Sequence, residues 1–470
     1  MLDENRLFPV HCAPRRAMAA KLYAAVKDLP IISPHGHTDP QWFAENKPFP
    51  NPTALFLQPD HYIFRMLYSQ GISMESLGVP QQGAKGDLSA QVDPREAWRI
   101  FARNYFLFRG TPTRLWIDYA FATLFGLTER LSAGNADEHY ETIDKALQTP
   151  EFLPRALFDR FKIEVLATTD AAIDSLGWHK KIQESGWGGR VLPTFRPDAV
   201  VDAEYLGFRE NLEKLGEVTG EDISSWTGYL NALRSRRAFF KSMGCTATDH
   251  GHLTALTADL SIDEASRLYA RIYSGHTDAG DVELFQAQML TEMAGMSVDD
   301  GLTMQLHPGS VRNHNLKVYE KFGRDKGADM PAPTEYVRSL RPLLSKYGNE
   351  PNFTFILFTL DESTFSRELA PLAGHYPCLR LGPPWWFHDS PEGMMRFRET
   401  ATETAGFYNT VGFNDDTRAF LSIPARHDVA RRVDCAFLAR LVADNRLDEA
   451  EAFELVQDLT VNLVRKAYRL

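Results

Sequence analysis

Eight short runs of apolar and β-branched residues, each closed by turn residues, recur along the chain and constrain its fold more than any other feature. They are "LPIISPHGH" (29–37), "IEVLATTD" (163–170), "RVLPTFRPD" (190–198), "GCTATDHG" (244–251), "LTMQLHPG" (302–309), "FTFILFTLD" (353–361), "CLRLGPPWW" (378–386) and "TVGFNDDTR" (410–418). Amphipathic stretches such as "EYVRSLRPLLSKYG" separate most of them. Strands alternating with helices pair in parallel, because a parallel neighbour is reached through a crossover helix. Eight such units predict an α/β chain folded as a (β/α)8, TIM-like barrel, with residues 1–470 forming one barrel. A doubly wound sheet with a helical second domain is the alternative. The first and second runs lie much further apart than one helix requires. The stretch "REAWRIFARNYFLFRGTPTRLWIDYAFATLFGL" between them carries apolar and aromatic residues at helical spacing. Residues 45–150 are therefore expected to form a mainly helical insertion after the first strand, with its aromatics in a core.

The polar residues of these runs cluster at their C-terminal ends. The first ends in His35 and His37, the third in Arg196 and Asp198, and the fourth in Asp249 and His250. The fifth ends in His307, and the eighth in Asp415, Asp416 and Arg418. Each has a bland reading: an Asp after a strand commonly caps a helix, and an Arg commonly forms a surface ion pair. In a barrel, however, every loop after a strand opens on the same face, where catalytic groups gather. His35 and His37 stand two apart and point the same way in an extended chain, with Cα atoms roughly 7 Å apart. Two imidazoles with the carboxylate of Asp416, reached from the last strand to the first, suit Zn²⁺ or a similar divalent ion and leave positions open for substrate oxygens. His307 is a further ligand or a partner behind the ligands.

Lys and Arg total 51 against 62 Asp and Glu, a net charge of −11. No basic tract overrides that balance, which argues against nucleic acid and anionic lipid as partners. An anionic small substrate would need a local cluster of arginines. Four cysteines (Cys12, Cys245, Cys378, Cys435) lack CxxC spacing and read as reduced thiols of a cytoplasmic protein. The start "MLDENRLFPVHC" has neither the basic nor the apolar region of a signal peptide, and no apolar run is long enough to span a bilayer. Association of copies into a homo-oligomer is left open.

Taken in order, "PHGHTDP", "PDHYIFRML", "TFRPD", "TATDHG", "MQLHPGSVRNHN", "GPPWWFHDSPEGM" and "GFNDDTRAFLS" cover essentially the whole chain. In them the sequence resembles the uronate isomerases (glucuronate isomerases) of the amidohydrolase superfamily, metal-dependent barrels of hexuronate catabolism. The resemblance implies conversion of D-glucuronate to D-fructuronate and of D-galacturonate to D-tagaturonate. It implies a metal site of His35, His37 and Asp416, and it maps the "DHY" element onto Asp60, His61 and Tyr62, with Tyr62 and His61 in the active site. The arginines of "FRPD" and of the Asp-x-Arg element, Arg196 and Arg418, are implied to bind substrate. Arg312, His307 and Asp249 are assigned to the same wall, although Pro308 and His314 depart from the usual family pattern around Arg312. Asp416 is taken over its neighbour Asp415 because Arg418 lies two residues on.

The chemistry asks for these residue types. Moving a carbonyl between C1 and C2 requires removal of a weakly acidic C2 proton and develops negative charge on oxygen. Asp416 is the expected base, Tyr62 a proton donor or a stabiliser of the enediolate, and a divalent ion a Lewis acid on the substrate oxygens. A metal-assisted hydride shift is not distinguished from proton transfer. Guanidinium groups such as Arg196 and Arg418 hold a carboxylate with two parallel hydrogen bonds. Trp385 and Trp386 form either a sugar-facing wall or a core pair. The main rival is a hydrolase on the same scaffold, a deaminase or lactonase, yet "FTFILFTLDEST" offers no His for a second metal. A barrel used only for binding would need neither HxH nor the arginines.

Overall fold

Each of the eight runs contributes one element to a closed, all-parallel ring of strands. The computed structural model describes residues 2–82 and 92–470. The first strand, Ile31–Ser33, pairs with Ile163–Ala167, which pairs in turn with Val191–Leu192. The second and third runs resume after a short break as Asp170–Ala171 and Phe195–Arg196. From there the ring continues through Ala247–His250, Thr303–Leu306, Phe355–Leu357 and Leu379–Leu381. The last run does not form a regular strand. It closes the ring with a single parallel bridge from Thr410 to Leu381 and a hydrogen bond from the His37 amide to the Thr417 carbonyl, 3.0 Å long. This closure excludes a doubly wound sheet, whose edge strands stay open. Every strand is shorter than the run that encodes it, because the ends turn out of register to deliver side chains to the rim.

Side-chain alternation sorts the strands' residues into two layers. Ile32, Val165, Ala247, Ile356 and Val411 pack together, and Val461, Val464, Ala467 and Tyr468 of the C-terminal segment join them. Thr303 at the start of the fifth strand donates to the Ala467 carbonyl (2.7 Å), and Tyr468 donates to Gln305 (2.9 Å). The C-terminal helix therefore plugs the N-terminal end of the barrel and leaves the opposite end for the site. Met304, Leu306, Phe355, Leu357 and Leu381 face the other way and pack against the surrounding helices.

Between the first two strands the described residues form helices and turns, from Pro40–Glu45 to Pro154–Arg160. Phe56, Trp98, Phe101, Tyr105, Phe108 and Phe121 of this segment are buried together. Residues 83–91 of the expected insertion lie outside the described residues. A helix at His61–Ser69 begins where the Asp60 carboxylate accepts the Tyr62 amide (2.9 Å), a standard N-cap. After the fifth strand, Ser310–Val311 pairs antiparallel with Met330–Pro331, returning the intervening loop to the same rim. The long helix Ile423–Ala443 packs between Ala13–Val26 and Pro391–Ala405 and is buried along nearly its whole length. Among the described residues no helix is long and apolar enough to cross a membrane.

Candidate active site

The C-terminal end of the barrel opens into a cleft. Strand ends, the helix at 61–69 and the loops after the fifth, seventh and eighth strands all send polar side chains into it. His35 and His37 follow the first strand and aim both Nε2 atoms at one oxygen of Asp416. The distances from that Oδ1 are 3.5 Å to His35 and 3.1 Å to His37. The three ligand atoms lie within 4.8 Å of one another, and His35 also lies that close to Asp249 and His307. His35 and His307 stack at 4.7 Å between ring centroids, and Phe358 backs His307 at 3.8 Å.

Burial alone would neutralise all of these groups, and their neighbours decide which of them keep a charge. Burial works against the carboxylate of Asp416, but the two imidazoles outweigh it and hold the group well below the usual carboxylate range. Asp249 is held low in the same way, with Arg196 and His307 overcoming burial. Burial also presses on His35, yet Asp416 and Asp249 shift it upward, whereas burial prevails at His37 and His307 and lowers both. His307 Nδ1 is 2.6 Å from Asp249, which fixes its ring, while its Nε2 and the Nδ1 of His35 are buried without a partner. Two neutral-capable imidazoles, an ionised carboxylate and an orphaned buried ring nitrogen beside them fit a divalent cation of the borderline class.

Three guanidinium groups line the same cleft, each already on a carboxylate. Arg196 is 2.8 Å from Asp198 and 3.4 Å from Asp249. Arg312 is 2.9 Å from Asp329, and Arg418 is 3.0 Å from Asp325. Gly251 lets Arg196 and Arg312 converge. A Cβ there would sit 2.5 Å from an Arg196 nitrogen and 3.0 Å from one of Arg312.

Tyr62 and His61 enter from the first turn of their helix, and Trp386 packs edge-on to both rings at 4.8 and 4.4 Å. Trp386 donates to the Asp329 carbonyl (3.0 Å), and Trp385 packs edge-on to His307 at 4.8 Å. Both tryptophans line the cleft. The Tyr62 hydroxyl donates to Asp389, 2.9 Å from each carboxylate oxygen. Burial, and then the charge of Asp389, raise the Tyr62 phenol well above its ordinary range, so it stays protonated.

Every residue assigned to the site from the sequence lines this cleft, from His35 to Arg418. His250, read at the end of the same run as Asp249, does not, and neither does Asp198, which stands behind Arg196. Neighbours on a strand face opposite sides, and His250 turns away to Thr248, 3.1 Å off. It gathers with Asp198 and His252, where the Arg196 guanidinium already satisfies the carboxylate. Sequence reasoning missed Asp325, Asp329, Asp389 and Asn414, which also line the cleft. Asp389 follows the Trp-Trp pair closely and carried a usable signal in "WWFHD"; Asp325 and Asp329 sit in a polar loop that resembles any other.

The sequence pattern of the glucuronate isomerase family matches residues 12–468. A uronate isomerase of Mesorhizobium japonicum is 62% identical over 471 residues, covering 100% of this chain and 99% of that protein. Two solved structures are also similar. A glucuronate isomerase from Caulobacter crescentus superposes with a TM-score of 0.97 at 60% identity, covering 100% of this chain and 97% of the other. A uronate isomerase from Thermotoga maritima gives 0.92 at 29% identity, covering 100% and 99%.

Proposed function

Since this chain belongs to the glucuronate isomerase family and is an aldose–ketose isomerase of uronates, we propose that it converts D-glucuronate to D-fructuronate and D-galacturonate to D-tagaturonate with the residues of this cleft. One observation carries the reading: three guanidinium groups, a proton-bearing phenol and a carboxylate flanked by two imidazoles line one cavity in a chain of net charge −11. The arginines supply the local positive charge that an anionic sugar requires. Hydrolysis on the same scaffold has no comparable support, as the matched relatives carry isomerase names over the full chain.

Arg418, Arg196 and Arg312 hold the uronate's carboxylate and the hydroxyls near it, exchanging part of their contact with Asp325, Asp198 and Asp329. That grip directs the C1–C2 end toward His35, His37 and Asp416. Asp416, ionised and flanked by two imidazoles, takes the C2 proton and returns it at C1. Tyr62 donates its hydroxyl proton to the C1 carbonyl oxygen as charge develops there and recovers a proton from the C2 hydroxyl as the carbonyl forms at C2, so that it ends the cycle protonated, and His61 and Trp386 keep its ring in place. Trp385 and Trp386 give the sugar ring an apolar wall that excludes water. His35, His37 and Asp416 would hold a divalent ion, for which Zn²⁺ is our assignment. Bound there, it supplies positive charge to the substrate's oxygens. His307, oriented by Asp249, backs this group. Four unpaired cysteines support a cytoplasmic setting, and a small uronate is the expected partner. The direct test is incubation of purified, metal-loaded protein with D-glucuronate, D-galacturonate and a neutral aldose. Ketose should form from the uronates and not from the neutral sugar.

A further inference from the structure

The cleft's proton donor does not stand alone. Tyr62 (6% exposed), Asp389 and Arg426 (2% exposed) come from three separate elements and meet in one buried chain. The Tyr62 hydroxyl lies 2.9 Å from both oxygens of Asp389, and Arg426 Nη1 lies 2.8 Å from Asp389 Oδ2. The same Nη1 approaches the Asp415 carbonyl at 3.3 Å, and Nε reaches Ser422 at 3.2 Å. The guanidinium carbon stands 3.5 Å from the centroid of the Trp116 ring, a stacked position with little freedom. The next residue on that helix, His427, is 3.0 Å from Asp415 Oδ2. Two consecutive residues of Ile423–Ala443 therefore grip both sides of the reaction: Arg426 through Asp389 to Tyr62, and His427 through Asp415 to the chain that bears Asp416.

A buried ion pair of this kind is costly unless its geometry does something hydrophobic packing could not. A phenol bonded equally to two oxygens is fixed in direction, and the carboxylate it meets is fixed by a guanidinium that cannot lose its proton. We infer that Asp389 and Arg426 are positioning residues for the isomerisation, acting through Tyr62: they hold its phenol oxygen at one point on the cleft wall and tie that position to the backbone carrying Asp416. The inference rests on the reading of Tyr62 as proton donor. It requires no additional substrate or cofactor.

A double-mutant cycle on the metal-loaded enzyme tests it. Tyr62→Phe should lower kcat by about a hundredfold or more, the usual worth of a positioned acid. Asp389→Asn, close to isosteric, should lower kcat by about tenfold to a hundredfold and leave the KM for D-glucuronate within about threefold. In the Tyr62→Phe background, Asp389→Asn should cost less than about threefold more, because a group that acts through Tyr62 has nothing left to act on. Arg426→Lys should keep more kcat than Arg426→Met at equal metal content. Losses that multiply in the double variant, or a kcat within about threefold of wild type for Asp389→Asn, overturn the inference while leaving Tyr62's role intact. Full activity in Tyr62→Phe would overturn both. Melting temperature and metal content measured on each variant separate a damaged fold, which lowers both backgrounds alike, from a misplaced phenol.

Discussion

Asp415 and Asp416 are adjacent in sequence and turn to opposite sides of the chain. Asp416 faces His37 at 3.1 Å, whereas Asp415 is 3.0 Å from His427 on the far side. Asp416 also takes a positive φ of 39°, unusual for a residue with a side chain. Asp416→Asn keeps size but cannot accept the C2 proton, so turnover should fall by roughly 10²–10⁴ with metal still bound. Asp415→Asn should keep kcat within about tenfold. Its cost should appear instead in stability, ~1–3 kcal/mol, because it weakens a buried charge-assisted bond to His427. Steady-state kinetics, metal analysis and thermal melts on the two variants decide the register of "NDDTR". A dead Asp415→Asn beside an active Asp416→Asn would reverse it.

The imidazole pair makes a separate claim. Purified protein should hold about one divalent ion per chain, or acquire one on titration. His35→Asn and His37→Asn should each lower its occupancy at least about tenfold at limiting metal, since each removes one of three ligands. Elemental analysis after dialysis checks this without reference to turnover. Wild-type occupancy in both variants would leave the pair without a metal role.

Arg418 and Asp325 stand 3.0 Å apart, both partly exposed. An incoming carboxylate must share or displace that contact. Replacing Arg418 with Met should raise the KM for a uronate at least about tenfold, matching a lost charge-assisted contact of ~1.5–3 kcal/mol. Asp325→Asn removes the competing charge and should lower KM by about twofold to fivefold, more at low salt than at high salt. Initial rates at two ionic strengths measure both. An increase in KM for Asp325→Asn would mean that Asp325 itself holds a sugar hydroxyl.

The barrel was legible because parallel strands, buried on both faces, are written as largely apolar runs such as "FTFILF". HxH and Asp-x-Arg were legible because short spacing at a strand end fixes direction. The closing element read less well: 410–418 carries strand-forming residues, yet the chain kinks at Asp416 to direct its carboxylate, and a lone bridge at Thr410 remains. Asp389 and Arg426 were hidden for another reason. Their meeting depends on three segments far apart in sequence, and "IPARHDVARRVDCAFLARL" carries the charge pattern of a surface helix. All of its Arg and Asp residues but Arg440 are in fact buried, with Arg426 on Asp389, Arg432 on Asp428 and Asp434 on Arg398. Pattern alone cannot separate a solvated charged face from one that finds partners across an interface.

Asp60 offers a pH-dependent test outside the metal ligands. It is 8% exposed beneath Tyr62, and burial pushes its carboxyl up to about 6, even though Arg426 and the amides of Tyr62 and Ile63 favour the charged form. The sign follows from proton counts. Between about pH 4 and 6 the folded chain holds a proton that the unfolded chain has released, so stability falls as pH rises through that window and stays reduced above it. The cost at neutral pH is ~3 kcal/mol at most. Asn is as good an N-cap and carries no charge, so Asp60→Asn should keep the helix start at His61 and remove the cost. Its melting temperature should exceed that of the wild type at pH 7.5 and converge with it at or below about pH 4. Denaturant melts at pH 4, 5.5 and 7.5 resolve the trend. A variant less stable than wild type at pH 7.5 would mean that the ionised carboxylate, through Arg426 and the two amides, stabilises the fold more than its burial costs.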